Sequence, residues 1–275
     1  LGPMARTVAD CAKLLDVMAG YDENDPITAH GVGNQADSYA DGLSTDGLKG
    51  KRIGILRTVM GYHTEPDSDD FKQVDALFNK SVEDMAAAGA DIVDPIEIPD
   101  MLEYLSKRAW DTVGDEQSFR DYAAGSANSP FASKEEAMAS PLYAQVTNGV
   151  TTRWAGSATP EQYAAYQKAR GDFMTIFLNT MARLGLDAIV HKAVEHTPTL
   201  ISDGTAPPFV DQKGAPHLNT FLIFVPSVVV PAGFTPDGLP AGITFLGRPY
   251  SDADMLNYAY AYEQATGHRR VPELG

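Results

Sequence analysis

The sequence predicts an α/β protein built on a mixed β-sheet flanked by helices. Residues 51–98 contain a short buried strand, an amphipathic helix and a second strand with short connections, which indicates a right-handed crossover and parallel strands. Near the end, the strand-like stretches "PSVVVPAGF" and "AGITFLGRP" are separated only by the turn "TPDGLP", which favours an antiparallel hairpin. Together these observations predict one sheet that contains both parallel and antiparallel strands.

The first predicted helix begins directly after a Gly2-Pro3 turn. Thr7 is a suitable N-cap, Asp10 stands at the spacing of a capping box, and Gly20 is suited to end the helix. Apolar residues recur at helical spacing at Val8, Cys11, Ala12, Leu15 and Met18. A helix with such a face requires a surface against which to bury it. Residues 21–50, which are polar and rich in glycine, predict a long surface loop.

The middle of the chain predicts further helices and one more strand. Residues 101–124 have a helical pattern, whereas residues 125–158 are less regular. A long helix begins after Thr159, with Pro160 in its first turn and Gln162 completing a capping box. The stretch "LDAIVHK" then predicts a strand. A last helix is predicted to be capped at Ser251, with Asp254 at the reciprocal position of the cap.

Composition excludes several classes of partner. The chain has 275 residues, enough for a large core, and carries a net charge of -16. This charge repels phosphate backbones and anionic membranes, so we expect neither nucleic acid nor membrane as a partner. No apolar run is long enough to span a bilayer. The single cysteine, Cys11, excludes an intramolecular disulfide and is expected to pack as a small apolar side chain.

Common catalytic motifs are absent from the sequence. There is no G-x-S-x-G elbow, phosphate-binding loop, H-E-x-x-H or paired C-x-x-C. His191 and His196 flank Glu195 in "HKAVEH", but this spacing lacks an evident third ligand, so we expect ordinary surface histidines and no metal. Ser227 has no base beside it in the sequence. The residues alone therefore predict an acidic α/β domain without a visible catalytic apparatus.

Four stretches resemble the amidase signature enzymes. One of them, "LKGKRIGILR", is similar to the strand that follows the family's first segment. "GPMARTVADCAKLLDVMAGYDENDP" is similar to that family's G-P-M-A-R-T-V-x-D segment, the helix after it and the G-x-D-x-x-D-P that follows. "YQKARGDFMTIFLNTMARLGLDAIV" resembles its long helix and the next strand. "VPSVVVPAGFTPDGLPAGITFLGRPYSDADML" follows its P-x-G-F-T-x-D-G-L-P and G-R-P-x-x-D/E patterns almost throughout. These motifs occur in the family's order along the whole chain.

The resemblance implies an incomplete catalytic unit. In that family the catalytic lysine, the bridging cis-serine and the nucleophilic serine all precede G-P-M-A-R, and none of them can be placed here. Residues 1–275 are therefore expected to be the C-terminal part of a single domain of that family, with an incomplete α/β/α fold. The implied reaction is hydrolysis of a small-molecule amide through a Ser acyl-enzyme, without a cofactor. By itself the chain is expected to be inactive.

Two alternatives remain open. One is a protein like the amidase-related subunit of the aminoacyl-tRNA amidotransferases, although a Tyr-Asp-Gly-x-Arg-Tyr-Gly stretch typical of it is absent and a charge of -16 suits tRNA poorly. The other is a non-catalytic interaction module derived from the family. Activity measurements on simple amides distinguish an enzyme from such a module.

Aromatic residues are the candidates for a substrate pocket. Phe224 stands two residues before Pro226, where the family commonly has glycine. Together with Phe221 and Trp110, it is predicted to bind substrate by narrowing a pocket for an apolar or aromatic acyl group. The alternative is that these rings pack in the core.

An incomplete unit is expected to expose a surface that its missing part would cover. We predict an apolar face near residues 1–20, or an edge strand without its partner. Such a surface would be covered by the missing N-terminal segment or by a second copy of the chain in a homodimer.

Overall fold

The computed structural model describes residues 2–109, 112–141, 143, 158–206, 213–222 and 224–271, without the side chains of 112–115. The strands are β1 (Arg52–Leu56), β2 (Asp91–Ile96), β3 (Ala188–Lys192), β4 (Ser227–Phe234) and β5 (Pro240–Leu246). The helices are α1 (Val8–Met18), α2 (Asp69–Ala87), α3 (Met101–Ser106), α4 (Thr112–Ala124), α5 (Lys134–Ala139), α6 (Pro160–Leu184), α7 (Ile201–Thr205) and α8 (Asp252–Thr266). Short 3₁₀ turns lie at Pro26–Gly31 and Leu218–Thr220.

The five strands form one mixed sheet in the order β2-β1-β3-β5-β4. β1 pairs in parallel with β2 and with β3, whereas β5 is antiparallel to both β3 and β4. The predicted mixed sheet, the parallel crossover pair and the terminal hairpin are all confirmed. Among the described strands, β2 and β4 lie at the two edges.

The chain divides into two compact units. The first contains the sheet and comprises Leu1–Pro99, Phe173–Pro198 and Lys213–Gly275. The second comprises Asp100–Asp172 and Thr199–Gln212 and is helical where it is described.

The core of the first unit lies where helices cover the inner strands. β3 is buried at every position because it lies in the middle of the sheet. Its Val190 lies opposite Phe245 of β5, and Phe245 contacts the ring of Tyr262 from α8. The buried Tyr262 hydroxyl donates a hydrogen bond to Ser81 of α2 at 2.8 Å, and burial raises the pKa of this phenol to about 12. α2 and α8 are thus joined inside the core.

Helix α1 forms where the sequence predicts it. Thr7 accepts a hydrogen bond from the N–H of Asp10 at 3.1 Å, and Val8 donates its N–H to the carboxylate of Glu263 on α8 at 3.1 Å. Val8 and Ala12 are buried within the same unit, so the expectation that the α1 stripe needs covering from outside is wrong for these two positions. Met18, the last residue of the stripe, is exposed, and so are the apolar residues Met4, Leu14 and Val17 outside it.

The second unit shows a predicted helix start and a division within a predicted helix. The capping box at Thr159 and Gln162 is present, with reciprocal hydrogen bonds of 2.9 and 3.2 Å. Residues 101–124, predicted as helical, contain two helices, α3 and α4. In the described part of the chain, no helix has the length and apolarity to cross a membrane.

Candidate functional site

A cavity of about 550 Å³ lies beside edge strand β4. One wall is the N-terminal segment, residues 2–5, and another is the beginning of β4, residues 226–229. Cys11 and Leu15 of α1 and Asp252 and Leu256 of α8 complete the lining. The cavity therefore brings together the two regions of the chain that carry the most specific sequence patterns.

Local contacts hold these walls in place. The Cys11 thiol lies 3.9 Å from the carbonyl oxygen of Pro3, a weak contact between α1 and the Gly2-Pro3 turn. On the opposite wall, the carbonyl oxygen of Pro226 accepts a hydrogen bond from the N–H of Gly247 at 3.2 Å, just beyond β5. This hydrogen bond ties the start of β4 to the residue that follows β5. Pro226 has no backbone N–H, so it leaves no unpaired donor at this end of the strand.

Two titratable groups line the cavity, and burial acts on both. Burial raises the pKa of the Asp252 carboxyl, although a hydrogen bond with its own backbone opposes the shift. Burial also raises the pKa of the Cys11 thiol, so the thiol form is favoured over the nucleophilic thiolate. Cys11 therefore behaves as the small apolar side chain that the sequence predicts. Asp252 is the acidic group of this cavity.

Asp252 is a cavity residue that the sequence patterns did not identify as functional. The sequence favours a reciprocal cap between Ser251 and Asp254, but Ser251 makes no such cap and instead donates its hydroxyl to the carbonyl oxygen of Arg248 at 2.7 Å. A signal was nevertheless present in the G-R-P-x-x-D pattern, whose last residue is Asp252.

The predicted substrate-binding aromatics lie in different surroundings. Phe221 is fully buried and packs edge to face on Phe173, with the ring centres 6.1 Å apart. Phe224 is 41% exposed. Trp110 lies outside the described residues. Their role in binding substrate stays a prediction.

Backbone geometry explains one departure from the family pattern. Phe224 has a φ of 60°, in the left-handed region that glycine adopts without steric cost. The amidase signature pattern commonly has glycine at this position, the residue that adopts such a backbone at least cost, whereas this chain has a phenylalanine there.

The two histidines of "HKAVEH" are not surface residues, which corrects the prediction. His191 is 3% exposed and His196 is 2% exposed. Burial lowers the pKa of His191 to about 4, so its ring is neutral at pH 7. The His191 Nδ1 lies 2.6 Å from the carbonyl oxygen of Lys192, which identifies Nδ1 as the protonated nitrogen.

His196 and Glu195 hold the loop that follows β1. The Nε2 of His196 accepts the N–H of Glu65 at 2.9 Å, so its Nδ1 carries the proton and donates to Asp70 at 2.7 Å. Glu195 accepts the N–H groups of Met60 and Gly61 at 2.8 and 3.0 Å. Both side chains are thereby satisfied by partners in the protein, which is what burial requires.

The acidic partner of His196 is held in its charged form. Desolvation by itself raises the pKa of Asp70. Hydrogen bonds from Ser68 and His196, together with nearby positive charge, outweigh this effect and lower the pKa to about 2. Within the described ranges, no group of three or more His, Cys, Asp or Glu side chains is arranged to hold a metal ion. The metal-free expectation stays a prediction.

Comparisons with known proteins agree with the sequence patterns. A family model described as Amidase matches residues 1–256. The chain is 27% identical to a glutamyl-tRNA(Gln) amidotransferase subunit of Roseobacter denitrificans, covering 99% of this chain and 56% of that protein. It is also 27% identical to a probable amidase of Arabidopsis thaliana, covering 100% of this chain and 50% of the relative.

A solved structure shows the same fold. The native peptide amidase from Stenotrophomonas maltophilia superimposes with a TM-score of 0.75 at 29% identity, covering 99% of this chain and 54% of the peptide amidase. The chain thus spans about half the length of the relatives it matches. Because the family model covers residues 1–256, the chain belongs to the amidase family.

Proposed function

We propose that residues 1–275 form the C-terminal part of an amidase that hydrolyses the C–N bond of a small-molecule amide. The observation that carries the proposal is the cavity, because its opposite walls are the Gly2-Pro3 segment and the start of β4, the two stretches that match the family's most specific patterns. In that arrangement the chain supplies the sheet and one wall of the substrate pocket.

The proposed chemistry is acyl transfer. A serine that precedes residue 1 attacks the amide carbonyl, a Lys–Ser relay transfers its proton to the leaving amine, and water then releases the acid. Backbone N–H groups of the same upstream segment stabilise the oxyanion. Residues 2–5 line the cavity, so a segment joined to them would approach the cavity from this side.

The chain's own residues act in the pocket by shape and polarity. The Phe224 ring is exposed and the Phe221 ring is buried, and neither is among the residues that line the cavity, so their proposed contact with substrate lies outside it. Trp110 is proposed as a third member of this aromatic set. Asp252, whose pKa is raised by burial, and Ser227 are the polar side chains in this mostly apolar lining. We expect this wall to favour apolar or aromatic acyl groups over charged ones.

A second candidate is favoured by one of the relatives. The amidotransferase subunit from Roseobacter denitrificans is as similar in sequence as the plant amidase. Against this candidate stands the charge of -16, which disfavours an approach to tRNA. An amidotransferase component would release glutamate from glutamine when its partner proteins and tRNA are present, and would turn over simple amides poorly.

The experiment compares two polypeptides on benzamide, acetamide and glutamine. The complete gene product that contains residues 1–275 is expected to release ammonia from the simple amides, whereas residues 1–275 alone are expected to release none. Ammonia release that requires tRNA and is specific for glutamine would support the second candidate. A complete gene product that is folded but inactive on all three substrates would point instead to the interaction module.

A further inference from the structure

Three aromatic rings of the first compact unit lie in contact, outside the lining of the cavity. Phe224 is the central ring: its centre is 4.9 Å from that of His30 and 5.7 Å from that of Tyr250. The planes of Phe224 and Tyr250 are nearly parallel, at 16°. The N–H of Tyr250 also donates to the carbonyl oxygen of Phe224 at 3.2 Å, so the two residues are joined through their backbones.

Both members of this hydrogen-bonded pair have an unusual backbone. Phe224 has a φ of 60° and Tyr250 a φ of 64°, and each is a bulky residue in the left-handed region. Such conformations cost free energy in an L-residue and tend to cluster at ligand sites, where the surrounding structure enforces them. Two of them side by side, each carrying a ring into the same stack, indicate a role for the rings beyond filling space.

The position of the stack relates it to the cavity. Phe224 stands two residues before Pro226, and Tyr250 stands two residues before Asp252, and both Pro226 and Asp252 line the cavity. Phe224 nevertheless keeps 41% of its surface exposed. None of the three rings lines the cavity itself. An exposed apolar ring whose backbone is hydrogen-bonded to the neighbouring segment is nevertheless suited to contact a molecule that extends out of the cavity, since little conformational entropy is lost on binding.

From this arrangement we infer that His30, Phe224 and Tyr250 form an aromatic wall that selects amides whose acyl group carries an aromatic ring. The inference rests on the proposed function and names its substrate class. Flat rings gain from offset or edge-to-face contact with other aromatic rings, beyond the area that they bury. An aliphatic acyl group of the same length obtains only the area term.

Binding to the chain itself is the first test, because it needs no catalysis. Residues 1–275, with ¹³C-labelled aromatic side chains, are titrated with benzamide and with acetamide and followed by NMR. We expect benzamide to shift the signals of Phe224 and Tyr250, and the variant Phe224→Asn to raise its Kd about 3- to 10-fold, the size of one aromatic contact. Asparagine tolerates the left-handed backbone, so this variant removes the ring without disturbing the fold.

Tyr122→Asn is the control for loss of an exposed ring, since Tyr122 is exposed on α4, in the other compact unit. It is expected to leave the Kd for benzamide unchanged. Equal affinity of wild type and Phe224→Asn for benzamide, or no binding of benzamide by the wild type, would overturn the inference.

Kinetics on the complete gene product separate this inference from the proposed function. The ratio of kcat/KM for benzamide to that for acetamide is expected to fall about 3- to 10-fold in Phe224→Asn. An unchanged ratio would overturn the aromatic wall while leaving the amidase proposal intact. Absence of amide turnover, with binding that still depends on Phe224, would reject the amidase proposal and retain the wall as a binding site.

Discussion

Replacing Glu195 by glutamine tests how the loop after β1 is held. The Glu195 carboxylate is buried and accepts the backbone N–H groups of Met60 and Gly61, while the Thr64 hydroxyl lies 2.6 Å from it. Thr64 has a second acceptor, the carbonyl oxygen of Gly61 at 2.9 Å, so its hydroxyl is not left unpaired by the change. Within the described residues, the Glu195 carboxylate is the only hydrogen-bond acceptor of the Met60 and Gly61 amides.

The magnitude follows from counting those two amides. Glutamine has a single acceptor oxygen, so one amide keeps a weaker neutral hydrogen bond and the other faces an NH₂ group that cannot accept. A hydrogen bond to a charged group contributes about 1.5–3 kcal/mol, and an unsatisfied buried donor costs about 1–3 kcal/mol. We therefore expect Glu195→Gln to lower the free energy of unfolding by about 2–4 kcal/mol, a large share of a typical domain's stability.

The assay is urea unfolding of residues 1–275 followed by far-UV circular dichroism, with amide hydrogen exchange as a local measurement. Glu97→Gln is the matched control, because Glu97 is exposed, and it should change stability by less than about 0.5 kcal/mol. Exchange at Met60 and Gly61 should accelerate by about 30-fold for 2 kcal/mol. A Glu195→Gln protein as stable as the control, with unchanged exchange at both amides, would refute the reasoning.

Three further outcomes are expected. Burial lowers the pKa of His191 from 6.5 to about 4, so the folded state disfavours the protonated ring. The contribution of neutral His191 to the free energy of unfolding should be present in full above pH 6.5 and should fall by up to about 3 kcal/mol as the pH drops towards 4. In urea titrations, His191→Gln should lose this pH dependence. Thr159→Ala removes the capping box of α6 and should cost about 1 kcal/mol in thermal unfolding, whereas no change would contradict the cap. If β4 pairs with a second copy, sedimentation should show a dimer that Val229→Lys abolishes; a wild-type monomer at all concentrations would exclude it.

Local patterns were sufficient to predict the pieces of this fold. The crossover between β1 and β2 and the turn between β4 and β5 are short-range features, and each fixes its pairing through connection length alone. The order β2-β1-β3-β5-β4 was not predictable in the same way, because β3 joins β1 and β5 across long stretches of sequence. Strand composition does not specify a distant partner.

The burial of the polar side chains in "HKAVEH" could not be predicted from the sequence. By composition the segment resembles a solvated surface, yet His191, Glu195 and His196 are buried. The partners of Glu195 and His196 are backbone amides and a carboxylate about 130 positions away in the sequence, including Glu65 and Asp70. Burial of a polar side chain depends on whether partners meet it in the fold, and only the fold shows that.

The candidate site was predictable in part. The family patterns identified the Gly2-Pro3 segment and the start of β4, and the structure shows that both line one cavity. The contribution of Asp252 and the contact of Phe224 with His30 and Tyr250 depend on how distant segments meet. The departure at Phe224 was visible in the sequence, but its left-handed backbone was not.

The central claim is that residues 1–275 supply the sheet and a pocket wall, while the nucleophile lies in a preceding segment. The most direct measurement is mass spectrometry of the complete gene product, and of residues 1–275 alone, after treatment with a serine-directed fluorophosphonate. We expect a single adduct on a peptide that precedes residue 1 in the complete gene product, and no adduct on the isolated chain. An adduct on a serine within residues 1–275, accompanied by amide hydrolysis by the isolated chain, would contradict the account.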